Sequence, residues 1–297
     1  MTESTKGTLA AITAFSLWGI LPVFWKALGS IPVLELTAHR VVWTLVILIV
    51  LLTSQQKVLK TLSLLRSPKI IAVHALAATC LASNWLIYVW ATLNDRILEG
   101  ALGYYINPFL YILLGRIFLG ERHSRLQMLA IAVAATGVVL QFPAVKGVPW
   151  AALGLAFSFA CYGMIRKKSP LGSFDGLAIE STLMLPVALV YVSFLQAQGG
   201  STFGMAADTS WLLVATGAAT AAPLLFFARG ARAISLSLLG ILQFIGPTGQ
   251  FFIGWLMYDE PLPPLRLISF ALIWTAVLIY IFSMRRKLSM PDQILTE

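Results

Sequence analysis

The stretch LGYYINPFLYILLGRIFLGE (102–121) has a partner later in the chain, ILQFIGPTGQFFIGWLMYDE (241–260). A shift of 139 residues lays Ile106 on Ile245, Pro108 on Pro247, Gly115 on Gly254 and Glu121 on Glu260. Both segments are apolar, both carry a proline near the first third, and both end on a glutamate. Why one chain repeats this pattern decides the reading of the fold.

The solvent comes first. Hydrophobic residues make up 59% of the 297 positions and charged ones only 11%, against about 25% charged in a soluble domain. Mean hydropathy is +0.85. A bilayer core about 30 Å thick takes roughly 20 apolar residues per helix, so ten spans with short connections use up this chain. The sequence reads as an all-α, polytopic membrane protein.

Apolar runs between charged or Pro/Gly punctuation place spans near 7–28, 34–54, 70–93, 100–119, 124–142, 148–166, 174–196, 209–230, 235–258 and 265–284. The first run is long and holds Pro22, so it is expected to be an uncleaved span rather than a signal peptide. Cys80 and Cys161 lie in apolar runs without metal-ligand spacing and are expected to be packing residues.

Lysine and arginine bias sets orientation. With a cytoplasmic N-terminus, fifteen of the 21 fall inside (Lys6, Lys57, Lys60, Arg66, Lys69, Arg122, Arg125, Arg166–Lys168, Arg229, Arg232 and Arg285–Lys287). Lys26, Arg96, Lys146 and Arg266 fall outside, and Arg40 and Arg116 lie within spans. Both termini are therefore expected to be cytoplasmic. Basic loops facing anionic headgroups account for the net charge of +9 without a nucleic-acid partner.

The repeat now acquires a meaning. The two stretches are spans four and nine, so each unit has five spans and the second unit enters the membrane inverted. Residues 1–142 form the first repeat and 143–297 the second. Leu17-Trp18-Gly19 against Cys161-Tyr162-Gly163 and His39 against Glu180 echo it at nearby offsets. Inverted repeats are typical of secondary transporters, whose interrupted helices frame a midplane site. Pro108 and Pro247 each delete a helical hydrogen bond and free a carbonyl, tolerable beside protein or water. A kink inherited from duplication is the plainer alternative.

The blocks LWGILPVFWKAL, LELTAHRVVW, NWLIYVWATLNDRILEGALGYYINP, FLGER and LRLISFALIWTAV resemble the drug/metabolite transporter superfamily, its EamA-type branch and the RarD (chloramphenicol-sensitive protein) subgroup. The resemblance covers almost the whole chain. It implies a ten-helix inner-membrane carrier built from two inverted EamA repeats, exporting small metabolites or drugs. Asp259-Glu260 departs from the Gly-Glu of many relatives, at a span end.

Arg40 is the sharpest candidate. It lies about six residues, roughly 9 Å, into span two, and intramembrane charge marks substrate pathways. Its guanidinium suits a carboxylate or phosphate; snorkelling or pairing with Glu35 is the structural alternative. His39 and Glu180, at matched depth, are candidate proton carriers, with Glu180 also the expected internal partner of Arg40. Trp18, Tyr88 and Tyr104 lie deep enough to line a stacking wall. Asn84, Asn107 and Gln243 are polar groups that either face a ligand or bind helices together. Ala152, Ala156 and Ala160 stand at helix-packing spacing.

No HExxH, GxSxG, P-loop or GxGxxG is present, so an enzyme, a primary pump, a cofactor and a metal are not expected. The sequence reads as a secondary transporter with a small-molecule substrate, the lipid bilayer and protons as partners. An integral membrane enzyme acting on a lipid-linked substrate and a passive channel are the rival readings.

Overall fold

A computed structural model describes residues 1–29, 31–93, 96–142, 149–259 and 264–288, and these contain helices and no strand. The helices are α1 (Glu3–Ala27), α2 (Val33–Ser54), α3 (Val58–Ser63), α4 (Pro68–Leu93), α5 (Ile97–Leu119), α6 (Arg125–Val139), α7 (Trp150–Lys168), α8 (Ser173–Ala197), α9 (Ala207–Ala233), α10 (Leu236–Gln243), α11 (Ile245–Tyr258) and α12 (Pro264–Leu288). A bilayer leaves backbone groups no water to bond, so helices are the form an open chain takes there.

Helix ends are closed by local chemistry. Ser124 and Gln127 form a reciprocal capping box on α6, and the Ser235 hydroxyl accepts from Leu238 N at 3.2 Å to start α10. Helices α5 and α11 both end on a left-handed residue, Gly120 (φ +66°) and Asp259 (φ +50°). Their N–H groups reach back to Gly115 and Gly254, so the matched glycines of the opening alignment take matched roles. Glycine enters this conformation without a Cβ penalty, whereas Asp259 takes it with a side chain.

Among the described residues, eight helical segments are long and apolar enough to cross a membrane, with α10 and α11 acting as one. Two expected spans fall short among the described residues. Helix α6 has 15 residues, about 22 Å by helical rise. Helix α7 has 19, but Arg166, Lys167 and Lys168 fill its last turn.

Helix α1 packs on α9 and α11, α2 on α8 and α9, α4 on α7 and α8, α5 on α7 and α10, and α6 on α12. Small residues permit the approach. A Cβ on Gly103 would lie 2.8 Å from the Ala152 carbonyl, and one on Gly230 would lie 2.9 Å from the Ala11 Cβ. Ala152, Ala156 and Ala160 are all buried. Cys80 and Cys161 are free thiols.

One expectation needs correction. Helix α5 runs unbroken through Pro108, so the repeat does not give two interrupted helices. The carbonyl that Pro108 frees is that of Tyr104, four residues back, and the Gln243 side-chain amide donates to it at 3.5 Å. That long contact comes from the other half of the molecule. The second segment does lose register, at Phe244, whose N–H bonds back three residues to Ile241 at 3.4 Å. Pro247 then sits in the first turn of α11, where an N–H has no helical partner to lose. Glu260 and Lys146 lie outside the described residues.

Candidate binding site within the bundle

Arg40 is carried on α2 and turned toward α9, where its Nε donates to Thr220 Oγ1 at 3.0 Å. Indoles stack on it, with the guanidinium carbon 4.3 Å from the Trp85 ring and 4.9 Å from the Trp25 ring. Tyr104 and Tyr88 stand nearby, with their rings 6.1 Å apart. Arg40 is half-buried, and no carboxylate among the described residues pairs with it. A cation held by π faces and one hydroxyl keeps most of its donor edge for another acceptor.

The polar patch continues from Tyr104. Asn107 Nδ2 donates to Gln243 Oε1 at 3.1 Å, and both residues are buried. Asn107 Oδ1 has no partner. Sequence reasoning placed both residues beside the prolines, and the fold brings them into contact across the two halves.

Other candidates lie elsewhere. Asn84 gives its amide to the Leu155 carbonyl at 2.9 Å and to Ser158 Oγ at 3.1 Å, binding α4 to α7. Trp18 packs against Phe15, Phe159 and Phe227 with centroids within 5.6–5.7 Å. Its carbonyl accepts from Gln250 at 3.1 Å.

Glu180 is not the partner of Arg40. It lies fully buried between α4 and α7. One oxygen meets Arg166 at 3.1 Å and His74 Nδ1 at 2.9 Å, and the other accepts from Tyr162 at 3.1 Å. The His74 Nε2 is 3.0 Å from Ser169 Oγ. Arg166, counted with the loop charges, is fully buried and also donates to the Gly172 and Ser173 carbonyls. Sequence reasoning missed this cluster. His74 was legible as a titratable residue inside span three, whereas Arg166 was masked by its neighbours Lys167 and Lys168.

His39 is buried with neither ring nitrogen bonded. Its ring stacks on Phe203 at 5.1 Å, and its Nε2 is 4.0 Å from Glu35 Oε1. Glu35 does not reach Arg40 either; it accepts from Thr202 N at 2.7 Å and Ser201 Oγ at 3.1 Å.

At the opposite end, the Glu121 carboxylate caps α10, accepting from Leu236 N at 2.7 Å and Ser237 N at 3.0 Å. Anions are stabilised at a helix N-terminus by its free N–H groups and dipole. His123, in the α5–α6 loop, holds Ser237 Oγ at 2.7 Å. Partial burial pushes His123 below the usual histidine range, Glu121 opposing and Arg116 reinforcing the shift.

Comparison with known proteins agrees with this architecture. The profile described as EamA-like transporter family matches residues 5–142. The chain is 39% identical over 290 residues to Protein RarD of Salmonella typhi, covering 96% of this chain and 99% of that protein. It is 40% identical over 281 residues to an uncharacterized transporter of Vibrio cholerae, covering 94% and 92%. A crystal structure of another protein superposes with a TM-score of 0.74 at 20% identity, covering 94% of this chain and 99% of that one; that likeness concerns the fold. The protein is thus a multi-pass transporter of the inner membrane, and the chain belongs to the EamA-like transporter family, in its RarD subgroup.

Proposed function

We propose that this transporter is a secondary carrier that exports small metabolites or drugs by alternating access around a central aromatic cavity. Arg40 takes an anionic group of the solute, and Trp25, Trp85, Tyr88 and Tyr104 take its apolar body. The observation that carries the reading is a membrane-embedded guanidinium between two indoles with no carboxylate partner among the described residues. Such a charge is costly unless it works on a ligand.

The packing supports two inverted five-span halves. Exchanging α1 with α7, α2 with α8, α4 with α9, α5 with α10–α11, and α6 with α12 permutes the main observed contacts, the α7–α9 pairing excepted. The α1–α9 pairing becomes α7–α4, α1–α11 becomes α7–α5, and α2–α9 becomes α8–α4; the pairings α2–α8, α5–α10 and α6–α12 map onto themselves. On this reading there are ten spans, 1–142 and 143–297 are the repeats, and both termini are cytoplasmic. Asn107 and Gln243 form the polar floor of the cavity. The coupling proton resides on His39 or Glu180, and geometry favours His39, whose nitrogens are unpartnered.

A panel of small anions offered to proteoliposomes tests this. Saturable flux with counterflow and without chemical conversion is expected. Chemical conversion identifies the membrane enzyme instead, and non-saturable flux the channel.

A further inference from the structure

Five buried polar atoms without a hydrogen-bond partner gather along one stripe of α2. They are Glu35 Oε2, both ring nitrogens of His39, Trp43 Nε1 and, from the segment facing them, Thr202 Oγ1. Glu35, His39 and Trp43 stand four residues apart, so they share one helix face. Glu35 and His39 are 0% and 3% exposed. Buried polar atoms are normally paired, and a cluster of five orphans is not an accident of packing.

The facing segment is the α8–α9 connection. Thr202 N and Ser201 Oγ both bond Glu35 Oε1, and Phe203 stacks on His39 and leans on Trp43 at 5.9 Å. It is a strap buckled onto the stripe by one carboxylate oxygen. Beside it lies a recess of about 510 Å³ lined by residues that include Ser193, Gln196, Ser201 and Phe203.

We propose that Glu35 and His39 form a buried proton-binding pair, closed by the Ser201–Phe203 strap and reached through the recess against α8. Its use as the driving ion rests on the carrier reading above; its existence does not. With one proton the pair has two forms, Glu35 carboxyl with neutral imidazole, or carboxylate with imidazolium. The proton passes between Glu35 and the His39 Nε2 once a rotamer change closes their 4.0 Å gap. A second proton leaves both groups protonated. The protonated carboxyl is a weaker acceptor for the Thr202 and Ser201 donors than the carboxylate is, so proton uptake unbuckles the strap.

The surroundings leave the pair to itself. On α2, Arg40 is directed toward Thr220 and the indoles. Helix α8 brings Tyr191 into the apolar cluster beside Ala38 and Val41. Helix α9 brings Asp208, exposed and bonded to its own Thr209, and α1 brings Lys26, seated over Tyr258. None of these forms an ion pair with Glu35 or His39 among the described residues.

The test uses full-length protein with both native cysteines replaced by alanine and Thr202→Cys added, which leaves both strap anchors in place. Labelling by a membrane-impermeant maleimide is followed from about pH 8 to about pH 5, alongside the infrared carboxyl band. Every rate is taken relative to that of Ala206→Cys, an exposed position in the same background, which cancels the loss of reactive thiolate in acid. Acid is expected to speed labelling about threefold or more as the strap opens, with the carboxyl band growing in step. Glu35→Gln, which mimics the protonated form, is expected to label fast at every pH and to lose the pH-dependent band. His39→Gln keeps Glu35 and is expected to move the midpoint by about one pH unit or more; it serves if the Glu35 variant does not fold. Labelling indifferent to pH and to both substitutions overturns the proposal. Sodium acting at neutral pH as acid does assigns the site to a metal cation and also overturns it. Neither readout needs solute flux, so an inert carrier assay with a titrating strap sinks the transport reading alone.

Discussion

Asn107 and Gln243 meet side chain to side chain, the Asn107 amide donating to Gln243 Oε1 at 3.1 Å across 136 residues of chain. Gln243 then extends its own amide to the Tyr104 carbonyl that Pro108 leaves without a helical donor. This long contact meets the freed carbonyl where α5 runs through its proline, and it places a polar bridge between α5 and α10.

The bridge predicts a coupled loss. Asn107→Leu or Gln243→Leu strands a buried amide and is expected to cost roughly 1–3 kcal/mol. The double variant is expected to cost less than the sum, because each single change already forfeits the shared bond. Thermal unfolding of the four proteins in detergent gives the cycle. Strict additivity would show that the bond contributes nothing. Solute affinity measured on the same preparations reports any role of the orphaned Asn107 Oδ1 in binding.

Arg40→Leu is expected to leave protein yield close to wild type and to lower anion binding about ten- to a hundredfold, the value of one charge-assisted contact. Yield survives because no carboxylate among the described residues depends on Arg40. Arg40→Lys is expected to recover binding only in part, since an ammonium offers neither the planar fork nor the same stacking on Trp85. Loss of folded protein with unchanged affinity in the remainder would make Arg40 structural.

Glu180→Gln is expected to behave in the opposite way. Removing the carboxylate leaves Arg166 buried and uncompensated, at a cost of about 3–5 kcal/mol. The expected result is a large drop in unfolding temperature before any change in solute affinity. A normally stable Glu180→Gln protein with altered pH dependence of transport would return Glu180 to the proton path.

His123 gives a pH prediction outside the membrane. Its folded pKa is lowered, chiefly by burial, so the unfolded chain binds the proton more readily. Its contribution is then fully favourable above the unfolded value and is lost as pH falls from about 6.5 through the folded value. His123→Gln is expected to flatten the dependence of unfolding temperature on pH across that window. An unchanged slope would show that the His123–Ser237 contact opens freely to water.

Topology is checked by reporter fusion at the C-terminus. A cytoplasmic report is expected. A periplasmic one would overturn the span count and, with it, the inverted repeat.

Much of this protein is set by local sequence. Span positions follow from runs of apolar residues, because a bilayer selects on length and composition without regard to neighbours. The 139-residue shift also located real geometry: Gly120 and Asp259, one shift apart, both take the left-handed cap. Asn107 and Gln243 were singled out by their prolines and proved to touch. Partnership among charges was decided by tertiary structure alone. Arg40 found Thr220 at a separation of 180 residues, Glu180 found His74 at 106, and Glu35 buckled a connection 166 residues away. Apolar runs fix where a helix lies in the membrane but leave its rotation about its own axis open. That rotation, set by glycine and alanine contacts between helices, chooses which side chain each buried charge will meet.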